Sequence, residues 1–333
     1  MSRTPFTQIP SRGLALAFAA ICAALSSLAL AQQPYPSKPI TMIVPFPPGG
    51  VLDNAARAIA SSLSPTWGQS ILIDNRGGAN GNIGVEACAR AEADGYTVCF
   101  PAGVIISLNP LAYTKLPFNP QRDLVPVVHV GIIDTSITVA SAMPANTVKE
   151  LIDMARAKPG AINWGSIGIG SASHLYMEWF QAKTGVKFTH VPYKGSPDLI
   201  RALAANEVQV LTNSPGVMLP LVKAGKTKMI AVVSNGERYA PLPQVPTLKE
   251  QGYDLDFRNW VAIFLPRNTP EPIVRRWNAE VNRLLKDPAW TNKYFVPMAL
   301  VPTGGTVEEF IAYMKHDRAT SEELTKIANL RLD

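Results

Sequence analysis

Apolar residues along this chain recur in two alternating rhythms. Short solid runs such as Ile40 to Val44 pass through a Pro- or Gly-rich turn into stretches where apolar residues return every three or four positions, as at Ala56, Ile59, Ala60 and Leu63. The first spacing fits a buried strand and the second an amphipathic helix. The opening unit is therefore a strand, the turn Pro45-Phe46-Pro47-Pro48-Gly49-Gly50 and a helix beginning near Asp53. The unit repeats. A strand at Ser70 to Asp74 enters a loop through Gly77, Gly78 and Gly81 and then a helix from Ile83 that stops at Asp94-Gly95. A third strand, Tyr96 to Phe100, gives way to a loop around Gly103 to Asn109.

After the apolar run Val125 to Ala140, Thr147 and Glu150 have the spacing of a capping box, and a helix through Ala157 follows. The strand Ala161 to Trp164 enters Gly165-Ser166-Ile167-Gly168-Ile169-Gly170-Ser171, and a helix runs from about Ala172 to Gly185. Val186 to Val191 leads through Tyr193-Lys194-Gly195 into the helix Asp198 to Ala205, and Val208 to Thr212 meets Asn213-Ser214-Pro215-Gly216. Beyond the Pro-rich connection at residues 239–246, Trp260 to Leu265 reads as a strand. Thr269-Pro270 begins a helix, and a second capping box at Thr306 and Glu309 begins the last one. Glycines at the strands' C-terminal ends predict open parallel α/β sheets, with a ligand crevice at those ends. Backbone N–H groups at such strand-to-helix turns converge with the positive end of the helix dipole, a setting for an anion.

The totals bound the function. A chain of 333 residues has room for two domains, and 47% hydrophobic with 17% charged content describes a folded protein. Met1 to Ala31 carries Arg3 and Arg12, an apolar run from Leu14 to Leu30 and Ala29-Leu30-Ala31, which reads as a secretory signal cleaved before Gln32. Export to the periplasm is expected. Without Arg3 and Arg12 the 31 Lys and Arg become 29 against 25 Asp and Glu, a mature charge of +4. No basic stripe suggests nucleic acid. Cys88 and Cys99 remain after cleavage; both sit in apolar patterns and read as buried thiols, with a disulfide as the alternative in an oxidising compartment.

Several motifs together resemble a known family. They are Val44-Pro45-Phe46-Pro47-Pro48-Gly49-Gly50 with Asp53, Asn75-Arg76-Gly77-Gly78-Ala79 with Gly81-Asn82-Ile83-Gly84, Asp94-Gly95-Tyr96-Thr97, and Val191-Pro192-Tyr193-Lys194-Gly195-Ser196. Leu116-Pro117-Phe118, Ser173-His174-Leu175, Val245-Pro246-Thr247 and Thr269-Pro270 extend the likeness over nearly all the mature chain. The pattern resembles the Bug-type solute-binding receptors of tripartite tricarboxylate transporters. That resemblance implies a type II periplasmic binding protein fold, two α/β lobes joined by two crossing strands. It places lobe one at 32–132 and 247–333 and lobe two at 133–246. It implies a small carboxylate ligand, commonly a di- or tricarboxylate and in some members an aromatic acid, held by loop amides, hydroxyls and waters without an arginine clamp. Its partners would be the membrane subunits of the transporter, with the receptor itself a monomer. The chain departs from the family pattern at Pro48, at Ala262 and at Thr212-Asn213-Ser214.

The candidate ligand-binding residues are Phe46, Gly49, Gly50, Asp53, Asn82, Ser107, Ser166, Gly170, Ser171, Ala172, Ser173, His174, Tyr193, Lys194, Gly195 and Asn213. Phe46 offers a floor for a carbon chain, the glycines and serines offer amides and hydroxyls, and Lys194 offers an ammonium. Each has a plainer role: Asp53 as a helix cap, His174 as packing, Lys194 as a solvated cation. The loop at Gly165 to Ser173 lacks the Gly-Lys-Ser/Thr of a P-loop, so a nucleotide is not expected. Ser171 and His174 invite a hydrolase reading, but no G-x-S-x-G elbow accompanies them and no acid obviously orients the histidine. The four histidines are scattered, without H-E-x-x-H. The expectation is a receptor with no enzymatic activity, metal or cofactor; the alternative is a sensor docking on a signalling kinase.

Overall fold

The computed structural model describes residues 35–332 apart from 235, 256, 328 and 329, so the proposed leader at Met1 to Ala31 lies outside the described residues. The strands, in chain order, are β1 (Ile40–Val44), β2 (Ile71–Asn75), β3 (Thr97–Cys99), β4 (Leu124–Ile133), β5 (Thr135–Ala140) and β6 (Asn163–Ser166). They continue as β7 (Thr189–Pro192), β8 (Val210–Asn213), β9 (Thr227–Val233), β10 (Asn259–Pro266) and β11 (Leu300–Pro302). One sheet has the order β11-β4-β10-β3-β1-β2 and the other β7-β6-β8-β5-β9, each packed with helices in the two-lobed α/β arrangement expected.

The sheets are mixed, which corrects the parallel expectation. β1 is parallel to β2 and β3, but β10 runs antiparallel to β3 and β4, and β11 antiparallel to β4. In the second sheet β6 is parallel to β7 and β8, whereas β5 is antiparallel to β8 and β9. The reversed strands are those beside the passages between sheets. β4 leaves the first sheet at Ile133 and becomes β5 of the second within one residue, Asp134. The chain returns after β9 into β10, which pairs with β4 along its whole length. A strand returning from the opposite sheet enters with the opposite direction, and no local sequence pattern records this.

Six of the helices each follow a strand. Helix α1 (Val51–Trp67) follows β1, α2 (Asn82–Ala89) follows β2, and α3 (Val148–Ala157) follows β5. α4 (Ala172–Thr184) follows β6, α5 (Ser196–Ala204) follows β7, and α6 (Pro215–Lys223) follows β8. The later helices are α7 (Glu271–Leu285), α8 (Pro288–Tyr294) and α9 (Val307–Ile327). β1 is a solid apolar run because helices cover both faces of its sheet; Ile40, Met42 and Val44 are fully buried. The capping box of α9 forms as the spacing predicts: Glu309 N donates to Thr306 Oγ1 at 3.1 Å and Thr306 N to Glu309 Oε2 at 2.7 Å.

α2 ends at Ala89, earlier than the sequence suggests. Asp94 accepts from the Tyr96 amide at 3.0 Å and Gly95 has φ 85°, so Asp94-Gly95 is the turn into β3 rather than a helix end. The thiol reading is also overturned. Cys88 on α2 and Cys99 on β3 form a disulfide, their Cα atoms 5.9 Å apart, because α2 packs back against the strand it precedes.

Candidate functional site

Three helices begin at one point between the lobes. Gly50 precedes α1, Ser171 precedes α4 and Gly195 precedes α5, the first from one lobe and the other two from the second. The first amides of any helix lack an intrahelical acceptor, and each N-terminus carries about half a positive charge. Gly50, Val51, Leu52 and Asp53, with Ser171, Ala172, Gly195 and Ser196, surround a cavity of about 50 Å³. Phe46, Pro47, Ala102, Val104, Ile167 and Asn259 complete the wall. Phe46, Pro47 and Ile167 also line a wider cleft of about 1180 Å³, into which Tyr193 and Lys194 project.

The lobes meet closely around this point. A Cβ added at Gly195 would lie 3.0 Å from Pro47 Cγ of the other lobe, one at Gly50 3.8 Å from Ser196 Oγ, and one at Gly49 3.7 Å from Pro197. Only at Gly195 is the space tight, where a side chain would press on the Pro47 ring across the gap; at Gly49 and Gly50 the distances are ordinary contact. Gly49 also has φ 92°, a conformation that side chains rarely adopt.

Asp53 lines the cavity but its oxygens are occupied. Oδ2 accepts from the Gly49 amide and Arg57 Nε, both at 3.0 Å, and Oδ1 from Asn75 Nδ2 at 3.0 Å. Burial pushes its carboxyl upward, but the bonds from Arg57, Gly49 and Asn75 together outweigh that and hold it below the usual carboxylate range. The side chain therefore fixes the first turn of α1, and its charge is balanced by Arg57.

The Gly165 to Ser173 loop rests on two histidines. His174 Nδ1 accepts from the Gly170 amide at 3.2 Å, and its Nε2 faces Glu178 at 3.3 Å. His190 stacks on His174 with ring centroids 4.1 Å apart, and its Nε2 lies 2.6 Å from Ser166 Oγ. Burial and the neighbouring His174 push His190 down to about 4 despite Glu178. Ser173 Oγ accepts from the Ile167 amide at 3.0 Å and lies 3.0 Å from Ser171 Oγ. Ser166, Ser173 and His174 thus shape the loop from behind, outside the cavity lining.

Other candidates sit further away. Asn82 Oδ1 accepts from Asn109 Nδ2 at 2.6 Å in a network with Asn80 that holds the start of α2. Ser107 is buried against Asp317 and faces a separate groove with Phe264 and Met314, well outside the cleft lining. Asn213 Nδ2 reaches Ser196 Oγ at 3.3 Å, so it steadies a lining residue. Gly170 turns its amide to His174 and its Cα face toward Leu332. Of the sixteen, Phe46, Gly50, Asp53, Ser171, Ala172 and Gly195 line the inner cavity, and Tyr193 and Lys194 join Phe46 in the outer cleft.

Ala102, Val104 and Asn259 went unsingled by sequence reasoning, having no chemical signature beyond their position. Ser196 had one, a hydroxyl beside a strand-end glycine. Among the described residues, no three His, Cys, Asp or Glu side chains group as metal ligands would, and no helix is long and apolar enough to cross a membrane.

The sequence and the fold are shared with known proteins. Residues 55–326 match the family described as the tripartite tricarboxylate transporter family receptor. BugT of Bordetella pertussis is 34% identical over 83% of this chain and 84% of its own. Rpa4515 of R. palustris, solved with adipate, is 34% identical with a TM-score of 0.85, covering 89% of this chain and 99% of that one. MatC from Rhodopseudomonas palustris, solved with bound malate, is 26% identical with a TM-score of 0.79 over 87% of this chain and 99% of that one. These matches span both sheets, and the chain belongs to the Bug-type receptors of the tripartite tricarboxylate transporter family.

Proposed function

We propose that this protein captures a small carboxylate between its lobes in the periplasm and delivers it to the membrane subunits of a tripartite transporter. The observation that carries the reading is the meeting of three helix N-termini, drawn from both lobes, on one small cavity. A carboxylate there accepts amide and hydroxyl hydrogen bonds from α1 on one side and from α4 and α5 on the other. Charge-assisted bonds contribute on the order of 1.5–3 kcal/mol each. Three or four, less the ordering cost, reach the roughly 8 kcal/mol of micromolar binding. The adipate and malate of the two relatives are acids of this class.

In this account one lobe takes the ligand first. Rotation about the two passages between sheets then adds the other lobe's donors, and the membrane subunits recognise the closed form because their contacts differ between the two states. Lobe one comprises 32–132 and 247–333, and lobe two 133–246. The mature receptor is a monomer that begins at Gln32 after removal of the leader, which intact-mass measurement of exported protein checks.

A thermal-shift panel of mono-, di-, tri- and aromatic carboxylates tests the reading. Ligand at 100 times its dissociation constant adds about 2.7 kcal/mol, several degrees of Tm in a protein of this size. The bound acid returns chemically unchanged after long incubation. No shift with any acid, or recovery of a product, contradicts the proposal.

A further inference from the structure

The end of the described chain lies across the outer cleft. Leu332 pairs in parallel with Tyr113: its amide donates to the Ala112 carbonyl at 2.7 Å, and its carbonyl accepts from the Thr114 amide at 3.3 Å. Leu330 and Leu332 are both buried at 7% exposure, whereas Arg331 between them is exposed. Extended backbone sends successive side chains to opposite sides, so anchoring the two leucines turns the guanidinium outward. Arg331 accordingly lines the 1180 Å³ cleft, as Lys194 does from the other lobe.

This strap also touches the second lobe. A Cβ at Gly170 would lie 2.4 Å from Leu332 Cδ1, so the glycine loop closes directly onto the strap. Two further charges share the cleft, Arg201 and Asp198, and they face each other at 3.6 Å. Among the described residues, Lys194 and Arg331 are the other cations that line the cleft, and neither is in an ion pair.

Size connects the inner cavity to this mouth. A water-sized group needs about 10–15 Å³ of such space, so about 50 Å³ holds a carboxylate and little more. The rest of a longer acid runs past Phe46, Pro47 and Ile167, which line both spaces, toward the two cations.

We propose that Arg331 on the strap and Lys194 on the opposite lobe form a second anion subsite at the cleft mouth, so that the receptor selects elongated acids bearing an anionic group at each end. The inference rests on the carboxylate-receptor reading and adds to it a specificity-determining residue, Arg331. Because the mouth is open to water, the subsite discriminates through a screened charge and not a buried clamp.

Calorimetry on the mature chain compares succinate, adipate and suberate with butyrate, hexanoate and octanoate. The parent prefers the best diacid over its matched monoacid by about tenfold or more. Arg331→Gln weakens that diacid about fivefold and leaves the monoacid unchanged, while Arg331→Lys retains most of the preference. Should Arg331→Gln loosen the strap, seen as a lower Tm, Lys194→Gln supplies the same comparison from the other lobe. Loss of diacid and monoacid affinity by one common factor in both variants overturns the subsite, as does no change in either. A parent chain that binds none of the six acids overturns the carboxylate reading itself.

Discussion

Asp53 shows how one side chain near a binding cavity can serve the fold. Its carboxylate takes bonds from Gly49, Arg57 and Asn75, three points that define the β1–α1 turn. Asp53→Asn keeps the shape and removes the charge; we expect a loss of about 1–3 kcal/mol in urea unfolding at pH 7. Because its folded pKa is depressed, the contribution is present above the unfolded value of about 3.9 and is lost as pH falls through the lower folded value, so the variant's deficit narrows in acid. His190 gives the same sign of pH dependence from a different cause, the fold favouring its neutral form. Its pKa falls to about 4 from an ordinary 6.5, the unfolded chain binds the extra proton between those values, and stability drops as pH falls through that window. His190→Gln should lower the slope of unfolding free energy against pH between 4 and 6.5 by about 1.4 kcal/mol per unit; an unchanged slope contradicts the assignment. The place of Asp53 in the first helical turn was legible in the sequence because helix starts are local, although the cap itself is Gly50 and Asp53 reaches back to the Gly49 amide. The duty of His174 was half legible: Glu178, one turn on, faces the ring and corrects the expectation that no acid orients it, whereas His190 arrives on another strand.

Strands, loops and helix starts were legible because each is punctuated. β1 falls at Ile40–Val44 as expected, α4 begins at Ala172 and stops before Gly185, and Thr306 caps α9 with Glu309. Strand direction was not legible, since a buried strand reads the same whichever way its neighbour runs; hence the reversal of β10 and β5. The Cys88–Cys99 bond escaped for a related reason: two apolar patterns give each cysteine's burial and not their mutual distance. The bond closes a loop with a sequence separation of 11, for which chain entropy alone predicts about 3 kcal/mol. The double variant Cys88→Ser, Cys99→Ser should lose roughly that amount in urea unfolding, and equal stability of the two proteins would show that the link between α2 and β3 adds nothing.

At the scale of the whole molecule, two passages carry the chain between the sheets. Asp134 is the residue between β4 and β5, and burial lifts its carboxyl to about 7, against the pull of Arg258 and with a push from Glu237. A raised carboxyl binds its proton in the folded state first, so this group's penalty is absent in acid and grows as pH rises from about 4 to 7. Asp134→Asn should therefore raise Tm by several degrees relative to the parent at pH 8 and leave it nearly unchanged at pH 4; an equal offset at both values would contradict this. The passages join lobes whose helix starts meet at one cavity, where the proposed carboxylate binds. Binding there is tested most directly by a calorimetric titration of the best-binding acid beside the amide in which every carboxylate is converted, the diamide for a diacid, which keeps the shape and removes all negative charge. The acid should bind at micromolar concentration and the amide at least about 100-fold more weakly, the loss of about two charge-assisted bonds. Equal affinities for acid and amide would contradict the proposal.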